Sequence, residues 1–119
     1  MLGATLENGG ATFRVWSPEA DLALVIEGHS KEIPVPKSED GVRTVFVPDI
    51  QAGARYRYRV NGQGPFPDPV SRFQPEGVHG LTEVIDPSTF QWTDQNWEPL
   101  PLEKLTFYET HIGTFTPKG

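Results

Sequence analysis

Apolar and polar residues alternate along the first two-thirds of the chain. In "NGGATFRVWSP" Phe13 and Val15 fall on one face, and Thr12, Arg14 and Trp16 on the other. Strand pleating gives that period of two, and Ser17-Pro18 ends it. "DLALVIEG" places Leu22, Leu24 and Ile26 on one face with Ala23 and Val25 opposite, so both sides are apolar. "KEIPVP" reads as an edge strand, because Pro34 and Pro36 cannot donate to ladders on both sides. After the turn "KSEDG", "VRTVFVPDI" alternates again, with Val45 and Val47 opposed to Thr44 and Phe46.

The clearest alternation is "ARYRYRVNG". Tyr56, Tyr58 and Val60 share a face, Arg55, Arg57 and Arg59 share the other, and Asn61-Gly62 predicts a tight turn. The arginine row has two readings, a reader of phosphate or carboxylate groups and an outer face whose arginines pair with neighbouring acids. The acidic balance of the chain favours the second. No window holds an apolar stripe of helical period and length. Short strands with turn signals between them predict an all-β fold, an antiparallel β-sandwich.

From Gly64 the pattern breaks. "PFPDPVSRFQPEGVHGLTEVIDPSTFQWTDQNWEPLPLEKL" is rich in proline and aromatics, and only Thr82 to Ile85 reads as a strand. Phe66, Phe73, Phe90, Trp92 and Trp97 carry too much apolar surface for a free linker. The segment therefore reads as an extended chain laid over a surface. The close, "FYETHIGTFTPKG", alternates like a strand.

Composition narrows the partners. The 119 residues carry a net charge of −6, with basic residues mixed among acidic ones, which argues against nucleic acid and anionic membranes. There is no cysteine, which excludes a disulfide scaffold, a thiolate metal site and a cysteine nucleophile, and fits a reducing compartment. No apolar run is long enough to span a bilayer, and "MLGATLENGG" has no signal-peptide pattern. A cytoplasmic location follows as an expectation. Glycine and proline together make about a fifth of the chain, as many turns between short strands require.

Candidate chemistry is sparse. Glu109 and His111 share one side of the closing strand, but no nucleophile accompanies them and no third metal ligand lies near in sequence. His29 and His79 are isolated, so neither a metal nor a cofactor is expected. No phosphate loop, Gly-x-Ser-x-Gly elbow or His-Glu-x-x-His occurs. Trp16, Trp92 and Trp97 could stack on sugar rings. The plainer alternative has Trp16 covering the end of the sandwich and the other two bracing the extended segment.

Three stretches, "ATFRVWSPEADLALVIEG", "YRYRVNG" and "FPDPVSRFQPEGVHG", resemble the N-terminal region of the maltooligosyltrehalose trehalohydrolases of the α-amylase family, glycoside hydrolase family 13. The first is also similar to the early-set, family 48 carbohydrate-binding-module-like domains before the barrel of branching and debranching enzymes. Asp68-Pro69-x-Ser71-Arg72-x-Gln74-Pro75-x-Gly77-Val78-His79-Gly80 and Phe90-x-Trp92-x-Asp94-x-x-Trp97 are closer to the trehalohydrolases alone. Glu98-Pro99 and Thr110 depart from the common pattern.

The resemblance implies an immunoglobulin-like (early-set) sandwich over 1–85, an extended aromatic linker over 86–104, and the first strand of a truncated (β/α)8 barrel over 105–119. It implies a non-catalytic module of an enzyme that releases trehalose from maltooligosyltrehalose. The family's catalytic aspartate follows Arg-x-Asp, which is absent here, so this chain alone should be inactive. Docking on the barrel would fall to Phe66, Asp68, Arg72, Phe73, Gln74, His79, Trp92 and Trp97. "VIEGHSKEIPVPK" holds no aromatic where sugar-binding members carry tryptophans, so maltooligosaccharide binding should be weak or absent, with Trp16 the one glucan contact to consider. Exposed docking surface and open strand edges imply self-association. An autonomous α-glucan-binding module of a branching or debranching enzyme is the alternative.

Overall fold

A computed structural model describes residues 1–7, 9–18 and 20–118. Two antiparallel sheets face each other. The first has the order β1-β2-β5, from β1 (Gly3–Glu7), β2 (Gly10–Trp16) and β5 (Val42–Pro48). The second has the order β4-β3-β6-β7, from β3 (Leu22–Ile26), β4 (Ile33–Pro34), β6 (Arg55–Val60) and β7 (Gln63–Phe66). β8 (Thr82–Glu83) also pairs with β6.

The alternation read from the sequence sets the core. Phe13 and Val15 of β2, Leu22, Leu24 and Ile26 of β3, Val47 of β5, and Tyr56 and Tyr58 of β6 are all buried. Phe13 and Tyr56 meet edge to face across the two sheets, with ring centroids 4.8 Å apart. Asn61, at φ 49°, and Gly62, at φ 74°, make the tight turn from β6 into β7, as the Asn-Gly pair predicts. The Asn61 side chain also accepts from the Asp21 backbone N–H at 2.7 Å, which ties this turn to the start of β3.

The arginine face of β6 is an outer face. Arg55 contacts Glu76 at 2.8 Å and Glu83 at 3.3 Å, and Arg59 contacts Glu32 at 2.6 Å. Arg57 donates to the His79 carbonyl oxygen. The reading as acid-paired strand surface is therefore the one the structure supports.

Among the described residues two charged ones, Arg43 and Asp68, lie inside. Arg43, on the same face of β5 as Val45 and Val47, is 2% exposed. Its guanidinium donates to the carbonyl oxygens of Ser17, Pro18, Ala20 and Val35, so one cation holds the β2–β3 connection and the chain after β4. Asp68 is 3% exposed. It accepts from the Tyr56 hydroxyl at 2.6 Å and from the Val70 backbone N–H at 2.9 Å. The Asp68 backbone N–H in turn donates to the Thr82 hydroxyl at 3.0 Å. These bonds seat the segment after β7 on the sandwich.

Among the described residues the last buried one is Val84. Residues 87–118 are exposed throughout and contain only short 3₁₀ turns at Pro87–Thr89 and Leu102–Lys104 and one helical turn, Ile112–Phe115. The radius of gyration is 18.7 Å, against roughly 13–14 Å for a compact domain of this length. The segment after the sandwich accounts for the excess.

The close of the chain is not a strand here, and this corrects the sequence expectation. Residues 105–111 form no ladder, although Leu105 and His111 at their ends have extended backbone. A strand exists only through hydrogen bonds to a neighbour, and no segment lies beside this one. The helical turn then takes up Ile112 to Phe115, within the stretch read as strand. Gly119 lies outside the described residues.

Candidate functional site

Trp16 ends β2 and is 62% exposed. Beside it lies an open groove of about 270 Å³ between the ends of the two sheets. Trp16, Phe66, Pro67 and Pro69 form its rim, and Val15, Leu22, Tyr58 and Val60 form its floor. β6 carries Tyr58 there because the residue shares the core-facing parity of Tyr56. β7 carries Phe66, which stands opposite Tyr58 in the ladder.

Tyr58 is the unusual member of the floor. Its hydroxyl is buried and has no hydrogen-bond partner among the described residues. Burial pushes its phenol up, and the Asp68 carboxylate nearby adds to the shift. Tyr56 is raised for the same two reasons, first burial and then Asp68, and its hydroxyl is spent on that carboxylate. Neither phenol can act as a base near neutral pH. The groove offers flat aromatic and proline surfaces, and the one titratable side chain among its lining residues is Tyr58, so it can hold a ring.

The residues expected to dock on a barrel fall into three groups. Phe66 and Phe73 are half exposed on the sandwich. Trp92 and Trp97, 66% and 70% exposed, stand on the segment that leaves it. Phe90 packs edge to face on Trp92 at 4.9 Å, so that part of the segment carries its own aromatic pair. Arg72 ties its segment to β1, Gln74 bonds within that segment, and His79 has an exposed side chain and meets β6 through its backbone carbonyl. Arg72 donates to the Leu2 and Ala4 carbonyl oxygens, Gln74 to that of Val78, and the His79 carbonyl oxygen accepts from Arg57.

Asp68 departs from the expectation. It is an interior residue and presents no surface, because Tyr56 beneath it requires a buried acceptor. Arg43 was not singled out by sequence reasoning. The signal was its parity, since it falls on the apolar face of its strand.

Glu109 and His111 are exposed and share no hydrogen bond; His111 contacts Thr114 instead. Among the described residues no helix is long and apolar enough to cross a membrane.

The fold defines an early-set β-sandwich module. Residues 1–87 match the family model of carbohydrate-binding module 48, the isoamylase N-terminal domain, and the chain belongs to that family. Over nearly its whole length the chain is similar to malto-oligosyltrehalose trehalohydrolases. It is 42% identical to that of Deinococcus radiodurans, covering 99% of this chain and 20% of the relative. It is 38% identical to that of Saccharolobus solfataricus, covering 98% and 21%. A solved structure from Salmonella typhimurium, provisionally named an alpha amylase, superposes with a TM-score of 0.77 at 30% identity, over 98% of this chain and 20% of that one. The chain thus spans about a fifth of the length of the relatives it matches.

Proposed function

We propose that this chain is the non-catalytic N-terminal module of a glycoside hydrolase that releases trehalose from maltooligosyltrehalose, and that it packs against a catalytic barrel. The observation that carries this reading is the exposed aromatic run Phe90, Trp92 and Trp97. It lies beyond the residues matched by the family model and within the stretch shared with the trehalohydrolases. Side chains of this size left in water cost about 1.5–3 kcal/mol each relative to burial. A barrel surface would recover that cost. The barrel would supply the pair of carboxylates that glycoside hydrolysis uses. The module's part is to shape and brace one wall of the cleft. A cysteine-free chain working on α-glucans fits the cytoplasm. The direct test is incubation of this chain alone with maltotriosyltrehalose. No trehalose should appear, and trehalose release by the chain alone would overturn the reading.

One observation favours a second reading, α-glucan binding by the module itself. The exposed side chains of Trp16 and Phe66 flank an open groove that Tyr58 and Val60 also line. Calorimetric titration with maltoheptaose separates the two. Saturable heat that Trp16→Ala abolishes supports the second reading, and flat heats reject it.

A further inference from the structure

Five strand edges of the sandwich can be compared for what guards them. β4 is two residues long and contains Pro34. β7 contains Pro65, and its pairing with β6 shifts register between Tyr58 and Val60. β8 is covered on its outer side, where the Glu83 backbone N–H donates to the Phe73 carbonyl oxygen. On β1 the Arg72 guanidinium takes the outward carbonyls of Leu2 and Ala4. Short strands, prolines, bulges and inserted cations are the usual means of blocking edge pairing.

β5 differs. Its ladder with β2 is closed at one end by the Ser17 N–H on the Gly41 carbonyl oxygen and at the other by the Asp49 N–H on the Gly9 carbonyl oxygen. Antiparallel pairing alternates, so Arg43, Val45 and Val47 direct their backbone groups to β2. Val42, Thr44, Phe46 and Pro48 direct theirs outward. Val42 is closed off, with its N–H on the Asp40 carboxylate at 3.0 Å and its carbonyl on the Ser38 hydroxyl at 2.6 Å. Pro48 has no N–H. Thr44 and Phe46 remain, two donors and two acceptors with no partner among the described residues.

We propose that this edge pairs with the same edge of a second copy of the chain. Donors and acceptors match under a two-fold axis through Val45. Thr44 faces Phe46 of the second copy and exchanges both bonds with it, and the symmetric pair does the same, for four bonds in all. The capped Val42 then faces Pro48, which has no N–H, and the exposed Pro48 carbonyl is left to water at each end of the seam. Between Thr44 and Phe46 the seam carries no outward charge, and the Asp40 carboxylates on Val42 stand at its two ends. Arg43, the charged residue of β5, is turned into the core, and Thr44 and Phe46 form the outer surface. Two chains of net charge −6 thus meet along a centre, Thr44 to Phe46, that carries no charge of its own. This pairing is independent of any barrel and of glucan binding.

The test uses the full chain, which has no cysteine to interfere. Sedimentation should show a concentration-dependent dimer that Thr44→Pro abolishes. The Thr44 N–H points away from β2, so this proline removes no ladder bond within the monomer. Thr44→Cys mixed with Phe46→Cys should cross-link on oxidation, because facing residues of a hydrogen-bonded pair lie about 5.5 Å apart at Cα, within disulfide reach. Either cysteine variant alone should not, since like positions would stand roughly 8 Å apart. A wild-type monomer at all concentrations, a dimer that survives Thr44→Pro, or cross-linking as efficient in the unmixed samples as in the mixture would each overturn the proposal.

Discussion

The Tyr56 hydroxyl donates to the Asp68 carboxylate at 2.6 Å, with both side chains buried. One partner stands on the core face of β6 and the other on the irregular segment that follows β7. The bond therefore fixes where that segment leaves the sandwich, and with it the start of the path to Trp92 and Trp97. Tyr56→Phe removes one of the carboxylate's bonds and leaves a buried charge short of a donor. The expected loss is about 2 kcal/mol in urea unfolding. Asp68→Ala, which also orphans the Val70 N–H, should lose more than Tyr56→Phe.

The two raised phenols make a pH prediction. Their folded values lie above the unfolded value of about 10, so the stability they contribute is fully present below that pH. It falls as pH rises above it, because the unfolded chain then releases protons that the folded chain retains. Unfolding curves should show this decline beginning near pH 10. Alkaline difference spectra should show phenolate at Tyr56 and Tyr58 only together with loss of the β-sheet circular dichroism signal.

Arg43→Met keeps much of the side-chain length and removes every donor. The carbonyls of Ser17, Pro18, Ala20 and Val35 would lose the group that satisfies them inside the protein. The expected cost is on the order of 3 kcal/mol, read as a lower urea midpoint with unchanged slope. Arg43→Lys should fall between the two, because three donors on one nitrogen cannot reach carbonyls spread around a planar fork.

Trp16→Ala tests the groove without disturbing the core. The residue is mostly exposed, so unfolding free energy should move by about 0.5 kcal/mol or less. Any loss of maltoheptaose binding in this variant is then a change in contact, not in folding.

Much of the sandwich was legible because alternation was strong where strands face both a partner and a core. β2, β3, β5 and β6 follow from it. β1 and β7 did not. β1 mixes Gly3, at φ 89°, with Ala4 and Thr5, and β7 is "QGPF", with glycine and proline inside the strand. Their pairing comes from the neighbours β2 and β6, which no local pattern reveals. The interior charges were harder. Arg43 could have been found from its strand parity, but Asp68 lies on an irregular segment with no period to place it. The closing strand was misread in the opposite sense. Its alternation is real, yet a ladder needs a second strand.

The central claim is that this sandwich and its aromatic segment serve a trehalose-releasing barrel as a non-catalytic module. The most direct measurement is trehalose release by a chimera in which this chain replaces the matching fifth of the Deinococcus radiodurans relative. The account predicts that the chimera releases trehalose from maltotriosyltrehalose, and that a chimera carrying Trp92→Ala and Trp97→Ala folds less stably and releases less. A folded chimera with no release, or one indifferent to both tryptophans, would contradict it.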